Sequence, residues 1–187
     1  MYNGNIILLG GSAGSFSILL SILESLPVNF QPAIILCFHR LKTARYGFKE
    51  TLQSKTHLPI IEPFDKQAIK DKTIYLAPAN HHLYIDQQKC FVISTEEAVN
   101  HSRPSIDLTF ISASNAFKEK IFGILLSGAN EDGASGLQKI RENGGLTALQ
   151  TIDENCAISI MPKAALSLCP LHKKLSIDKI IDEIIKL

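Results

Sequence analysis

Apolar residues along this chain fall into short unbroken runs, separated by polar or glycine-containing stretches. NIILL (5–9), PAIILCF (32–38), TIYLA (73–77), IFGILLS (121–127) and GLTALQ (145–150) have strand length. They are continuous rather than alternating, which predicts strands covered on both faces. Between them the spacing turns helical. Residues 15–26 carry Phe16, Leu19, Leu20, Leu23 and Leu26; 105–118 carry Ile106, Leu108, Phe110, Ile111 and Phe117; 133–142 carry Leu137 and Ile140; 176–187 repeat Ile177, Ile180, Ile181, Ile184 and Ile185. Strands alternating with helices predict an α/β fold, a doubly wound and mostly parallel sheet flanked by helices. The segment HLYIDQQKCFVI (82–93) differs, with apolar stretches on either side of Asp86-Gln87-Gln88-Lys89. It predicts a small antiparallel hairpin at the sheet edge. No repeat, low-complexity tract or long linker interrupts the chain, so one domain over 1–187 is expected.

Composition narrows the class. The 187 residues are 45% hydrophobic and 20% charged, with a net charge of +1, an ordinary globular balance. A strongly basic nucleic-acid surface is not indicated, and Lys163, Lys173 and Lys174 read as a solvated face. Cys37, Cys90, Cys156 and Cys169 include no C-x-x-C pair, so neither a zinc knuckle nor a redox motif is suggested. Cys37 lies inside AIILCF and reads as a buried small hydrophobe. No Lys or Arg precedes Arg40, unlike the charged start of a secretory signal. No run reaches the ~18 apolar residues of a membrane span. A cytoplasmic location is expected.

Candidate chemistry begins where the first strand ends. Gly10-Gly11-Ser12-Ala13-Gly14 contains G-x-S-x-G between a predicted strand and a predicted helix. That is the setting of a nucleophile elbow, where small neighbours allow a sharp turn that exposes the serine oxygen. Free N–H groups at the helix start can stabilise a developing oxyanion. Two other readings compete. A dinucleotide fingerprint requires G-x-G-x-x-G, but its later glycine positions are Ser12 and Ser15, and a P-loop lysine is missing. A plain strand–helix turn requires no chemistry at all.

A serine nucleophile requires a base, and the base an orienting carboxylate. Functional groups of an open parallel sheet gather beyond the C-terminal strand ends. His39 ends AIILCFH, Asp132 lies in SGANEDG just beyond IFGILL, and Ser12 ends the first strand. Three separate segments thus deliver Ser, His and Asp to one edge. The structural alternative for Asp132 is an N-cap for the helix after Gly133. His57 reads as exposed, His81 and His82 as cleft or surface-loop residues, His101 as ambiguous, and His172 as exposed before the last helix. The chain order Ser, His, Asp differs from the Ser, acid, His order of α/β-hydrolases.

With these residues placed, nearly the whole chain, Ile6 to Leu187, resembles the catalytic domain of the chemotaxis protein-glutamate methylesterases. The resemblance is carried by LLGGSAGS, LCFHR, YLAPAN (75–80), RPSID (103–107), SGANEDG (127–133) and MPKAA (161–165). It implies hydrolysis of glutamate γ-methyl esters on chemoreceptor cytoplasmic helices, with glutamine deamidation in many members. The implied triad is Ser12, His39 and Asp132, with no metal or cofactor. Ala13 and Ala129 are the oxyanion candidates through their backbone N–H groups. Arg40, Asn130 and Met161 are substrate-cleft candidates, with a plain surface arginine the alternative for Arg40.

The chain departs from the family pattern at Ser15, Ala129 and Asn130, where the family has glycine, methionine and glycine, and at Ala13, where a hydroxyl residue is often found. Typical members also carry a receiver domain ahead of the esterase, whereas only MYNG precedes the first strand here. A stand-alone esterase, part of a split system or an excised domain is therefore expected, with a separate receiver protein as candidate regulator. Two further readings stay open: a catalytically weak receptor-binding adaptor, and an esterase or amidase acting on another substrate.

Overall fold

The computed structural model describes residues 4–39, 47–152 and 158–187. Strands β1 (Ile6–Gly11), β2 (Ala33–Phe38), β3 (Ile60–Ile61), β4 (Ile74–Leu76), β7 (Ile121–Leu125), β8 (Leu146–Gln150) and β9 (Lys173–Leu175) form one seven-stranded sheet in the order β3-β4-β2-β1-β7-β8-β9. Every pairing is parallel. The long apolar runs become the central strands because both faces are covered. Ile7, Leu9, Ile34, Leu36 and Ile124 face a core shared with α1 (Phe16–Glu24), α2 (Phe48–Gln53) and α6 (Ile177–Ile185). Ile6, Leu8, Ile35, Cys37 and Leu125 face the opposite core, shared with α3 (Ile106–Phe117), α4 (Ala134–Glu142) and α5 (Ile160–Leu168).

Chain order reverses between β1 and β7. Strands β2, β4 and β3 lie on one side of β1, and β7, β8 and β9 on the other. The crevice beyond the C-terminal ends of β1 and β7 is therefore the topological switch point, where α/β sheets bind ligands.

Strands β5 (His82–Ile85) and β6 (Phe91–Ser94) form the predicted antiparallel hairpin. The hairpin is a two-stranded sheet of its own, not an extension of the main sheet's edge. It rests on α3: Thr109 donates its hydroxyl to the Leu83 carbonyl at 2.8 Å, and Ser112 Oγ accepts from the Ile85 N–H at 3.1 Å. Leu83, Ile85 and Phe91 extend the α3-side core. The hairpin's apolar side covers helix α3.

The short elements were not visible in the pattern. Strands β3 and β9 have two and three residues, and β9 begins with two exposed lysines. Helix α5 carries Pro162 in its first turn, where a missing N–H costs nothing. His172, expected to be exposed, is buried. Strand β9 draws it against β8, where it meets Thr147 Oγ1 at 2.9 Å through Nδ1. Burial, assisted by the nearby Arg141 charge, pulls its pKa down to about 4, so it is neutral at physiological pH. No helix among the described residues is long and apolar enough to cross a membrane.

Candidate functional site

Ser12 follows β1 directly. Its N–H donates to the Ser127 carbonyl at 3.0 Å, tying the β1 end to the β7 end. Its carbonyl closes a four-residue turn by accepting the Ser15 N–H at 3.2 Å and the Ser15 hydroxyl at 2.6 Å. Gly14 sits at φ +86°, a left-handed conformation that favours glycine. Ser15 is buried, with its hydroxyl committed to this turn, whereas Ser12 is part-exposed and Ala13 and Gly14 are exposed. The turn therefore presents Ser12, not Ser15, to the crevice.

His39 follows β2, and its N–H donates to the Gly11 carbonyl at 3.2 Å. Its side chain is 14% exposed, and Nε2 lies 2.7 Å from Asp132 Oδ2. Asp132 is fully buried. The sequence alternative placed it as a cap of the helix that follows; instead its carboxylate caps α3. Oδ2 accepts the Ile106 N–H at 2.7 Å, while Oδ1 accepts the Ser105 hydroxyl at 2.9 Å and the Asp107 N–H at 3.1 Å. Asn100 Nδ2 also donates to Oδ1, at 3.3 Å. These are the orphan donors of a helix N-terminus, which favours negative charge. Burial alone pushes the Asp132 carboxyl up. The His39 hydrogen bond, with the Ile106 and Asp107 N–H groups, outweighs it and holds the carboxyl below the usual aspartate range.

An ionised carboxylate only accepts hydrogen bonds, so the neutral imidazole carries its proton on Nε2 and its lone pair on Nδ1. The basic nitrogen is thus Nδ1. Its partner is Ser102 Oγ at 3.2 Å; among the described residues, Ser12 Oγ makes no hydrogen bond. Ser12, His39 and Ser102 line one cleft of about 840 Å³. The Phe16–Phe48 ring pair, 5.0 Å between centroids, and His101 also line it. Arg103 closes another wall. Its guanidinium donates to Asn80 Oδ1 at 2.8 Å and to the Thr95 and Glu96 carbonyls at 2.7 Å each, joining three loops.

The remaining candidates divide. Ala13 lines the cleft and Ala129 is exposed in the β7–α4 loop. Asn130 turns into the polar cluster: Nδ2 donates to the Asn100 carbonyl at 3.1 Å and to Ser102 Oγ at 3.3 Å, and Oδ1 accepts the Asp132 N–H at 3.3 Å. Met161 is fully buried. It supports the site from beneath: a Cβ on Gly128 would stand 2.4 Å from Met161 Cε and 3.1 Å from Ser12 Cβ. Glycine at 128 is what lets Ser12 and Met161 approach the same backbone. Arg40 lies outside the described residues. His82 is neither a cleft nor a surface residue; buried, it bridges the Glu97 carbonyl (2.9 Å) and the Ser105 N–H (3.2 Å). Asn100, Ser102 and Asp107 have no role in the sequence reading. Their closeness to RPSID was visible, but not the turn that aims Asn100 and Ser102 at His39 and Asp132.

A family model described as CheB methylesterase matches residues 7–184. A Leptospira interrogans protein, named provisionally as a protein-glutamate methylesterase/protein-glutamine glutaminase, is 38% identical over 185 residues, spanning 99% of this chain and 95% of that protein. The Pseudomonas aeruginosa protein-glutamate methylesterase/protein-glutamine glutaminase 3 is 34% identical over 94% of this chain, which spans 52% of that protein's length. The crystal structure of the Thermotoga maritima CheB methylesterase catalytic domain superposes with a TM-score of 0.91 at 27% identity, covering 99% of each chain.

Proposed function

The chain belongs to the CheB methylesterase family, and from that premise we propose that it is a cytoplasmic serine hydrolase removing methyl groups from glutamate γ-methyl esters of chemoreceptors, with glutamine deamidation as the parallel reaction. The observation that carries the reading is that Ser12 and His39 line one cleft at the switch point, with the buried Asp132 bonded to His39. Residues 1–187 act as one catalytic unit in this reading.

His39 Nδ1 takes the Ser12 hydroxyl proton as Oγ attacks the ester carbonyl. The tetrahedral oxyanion is met by backbone N–H groups at Ala13 and Ala129; among the described residues neither has another acceptor. The imidazolium, stabilised through Nε2 by Asp132, returns its proton to the departing methoxide, which leaves as methanol. Water, deprotonated by Nδ1, attacks the acyl-enzyme. The γ-carboxyl is released as the proton returns to Ser12. With a glutamine substrate the same steps release ammonia.

The test is release of methanol from methyl-labelled chemoreceptors. Native protein is expected to release label, and Ser12→Ala to reduce release by about a thousandfold or more. Equal release by the two proteins would overturn the nucleophile assignment. Receptor binding with no turnover by native protein would favour the adaptor instead.

A further inference from the structure

The basic nitrogen of His39 is engaged by a hydroxyl other than that of Ser12. Ser102 Oγ lies 3.2 Å from Nδ1, and the same oxygen lies 3.4 Å from the Asn100 carbonyl, a second acceptor. A hydroxyl has one proton, so it serves one acceptor at a time. Both contacts are long for a hydroxyl donor, so neither fixes the proton strongly. Asn130 Nδ2 donates to the Ser102 oxygen at 3.3 Å and to the Asn100 carbonyl at 3.1 Å, holding the oxygen whichever way the proton points.

The backbone beneath this hydroxyl is firmly placed. Val99 and Ser102 exchange N–H···O bonds of 3.2 and 2.9 Å across a two-residue turn. Asn100 and His101, its central residues, have φ of 51° and 60°, as a primed hairpin turn requires. Asn100 is further anchored to the Asp107 and Asp132 carboxylates at 3.1 and 3.3 Å.

We propose that Ser102 is a positioning residue with two settings: in the resting cleft its proton occupies His39 Nδ1, and on substrate entry it turns to the Asn100 carbonyl and yields Nδ1 to Ser12. The proposal rests on Ser12 being the nucleophile and His39 its base. No bond to carbon changes in the switch; one O–H rotates from one acceptor to another. Ser102 thereby keeps the imidazole oriented while the cleft is empty and lowers the idle reactivity of Ser12. Losing one neutral hydrogen bond corresponds to roughly a two- to tenfold change in the population of the free base.

The experiment measures covalent labelling of the 187-residue chain by a fluorophosphonate probe, with the modified residue located by mass spectrometry. Ser102→Ala is expected to label at Ser12 roughly two- to tenfold faster than native protein. Ser102→Thr, which retains the hydroxyl, returns the rate toward native. The His39 Nδ1 resonance in nitrogen-15 spectra moves toward that of an unbonded nitrogen in Ser102→Ala and not in Ser102→Thr, a signature that loss of packing would not produce. An unchanged or slower rate at Ser12 in Ser102→Ala overturns the switch while leaving the nucleophile assignment intact. Labelling of Ser102 in a Ser12→Ala protein overturns the nucleophile assignment itself, and the switch with it.

Discussion

Two buried carboxylates meet at the start of α3 and carry opposite burdens. Asp132 is held by the His39 ring, the Ser105 hydroxyl and the first N–H groups of α3. Asp107, the second residue of that helix, accepts from the Gly136 N–H at 2.7 Å and from Asn100 Nδ2 at 3.1 Å. Burial pushes Asp107 up to about 6; the Gly136 N–H opposes this, and the Asp132 charge adds to it. Asp132 is also penalised by burial, yet its donors bring it below 3.8. Neighbouring carboxyls of one chemistry are thus separated by who donates to them. The pair resembles acid/base pairs elsewhere, whose environments drive two carboxyls apart. Of the two, only Asp132 touches His39, so in the proposed mechanism Asp132 serves the reaction, while Asp107 joins α3 to α4.

The harshest way to break this contrast is Asp132→Asn. The amide can turn an N–H toward His39 Nε2, which forces the ring proton onto Nδ1 and removes the basic lone pair from the cleft. Methanol release is expected to fall about a thousand- to ten-thousand-fold. Thermal unfolding should also come at a lower temperature, because the α3 N–H donors lose their anion. A variant retaining a tenth of native turnover would show that His39 does not depend on Asp132.

Asn100 touches both carboxylates, so it tests whether they are separable. Asn100→Gly removes the side chain while keeping the left-handed backbone at φ 51° without strain. One donor to Asp132 disappears, and turnover is expected to drop about tenfold, in keeping with loss of a charged hydrogen bond. Asp107 loses a donor that lowers its pKa and should titrate higher than in native protein. Carbon-13 spectra of the aspartate carboxyls read that shift directly. An unmoved Asp107 would mean that Asn100 does not couple the pair.

What the sequence could reveal follows from the same geometry. Ser12, His39 and Asp132 each follow a strand, and a parallel sheet brings all such positions to one edge, so chain order and apolar runs suffice to bring them together. Asp132 as an α3 cap was not legible, because the capped helix begins before it in the chain and meets it only through the fold. Ser102 and Asn100 were invisible for a related reason: nothing in AVNHS announces a turn with two left-handed residues, since Asn and His lack the glycine that usually marks one. Asp107 stands in a motif that carries the family resemblance, yet its role needs Gly136 from the next helix, α4. His172 looked exposed because the three-residue strand that buries it has lysines in two positions.

The gentlest test is Asp107→Asn, and its value lies in the sign of a pH dependence. A carboxyl that titrates near 6 when folded and 3.8 when unfolded keeps its proton in the native state through that window. The native state then binds more protons than the unfolded one, so stability falls as pH rises from about 4 to 6 and levels off above. At 1.36 kcal/mol per pKa unit the whole effect is at most about 3 kcal/mol. Asp132 has the opposite sign: its folded pKa is depressed, so its contribution is present above 3.8 and is lost as pH falls below it. Asp107→Asn removes the first dependence and leaves the second. Denaturant unfolding at a series of pH values should show the decline between pH 4 and 6 flattened in the variant and the acid-side loss retained. Turnover at neutral pH should change by less than about threefold, because Asp107 does not contact His39. A variant that keeps the native slope between pH 4 and 6 would mean that Asp107 ionises as freely as Asp132, and the difference between the two carboxyls would collapse.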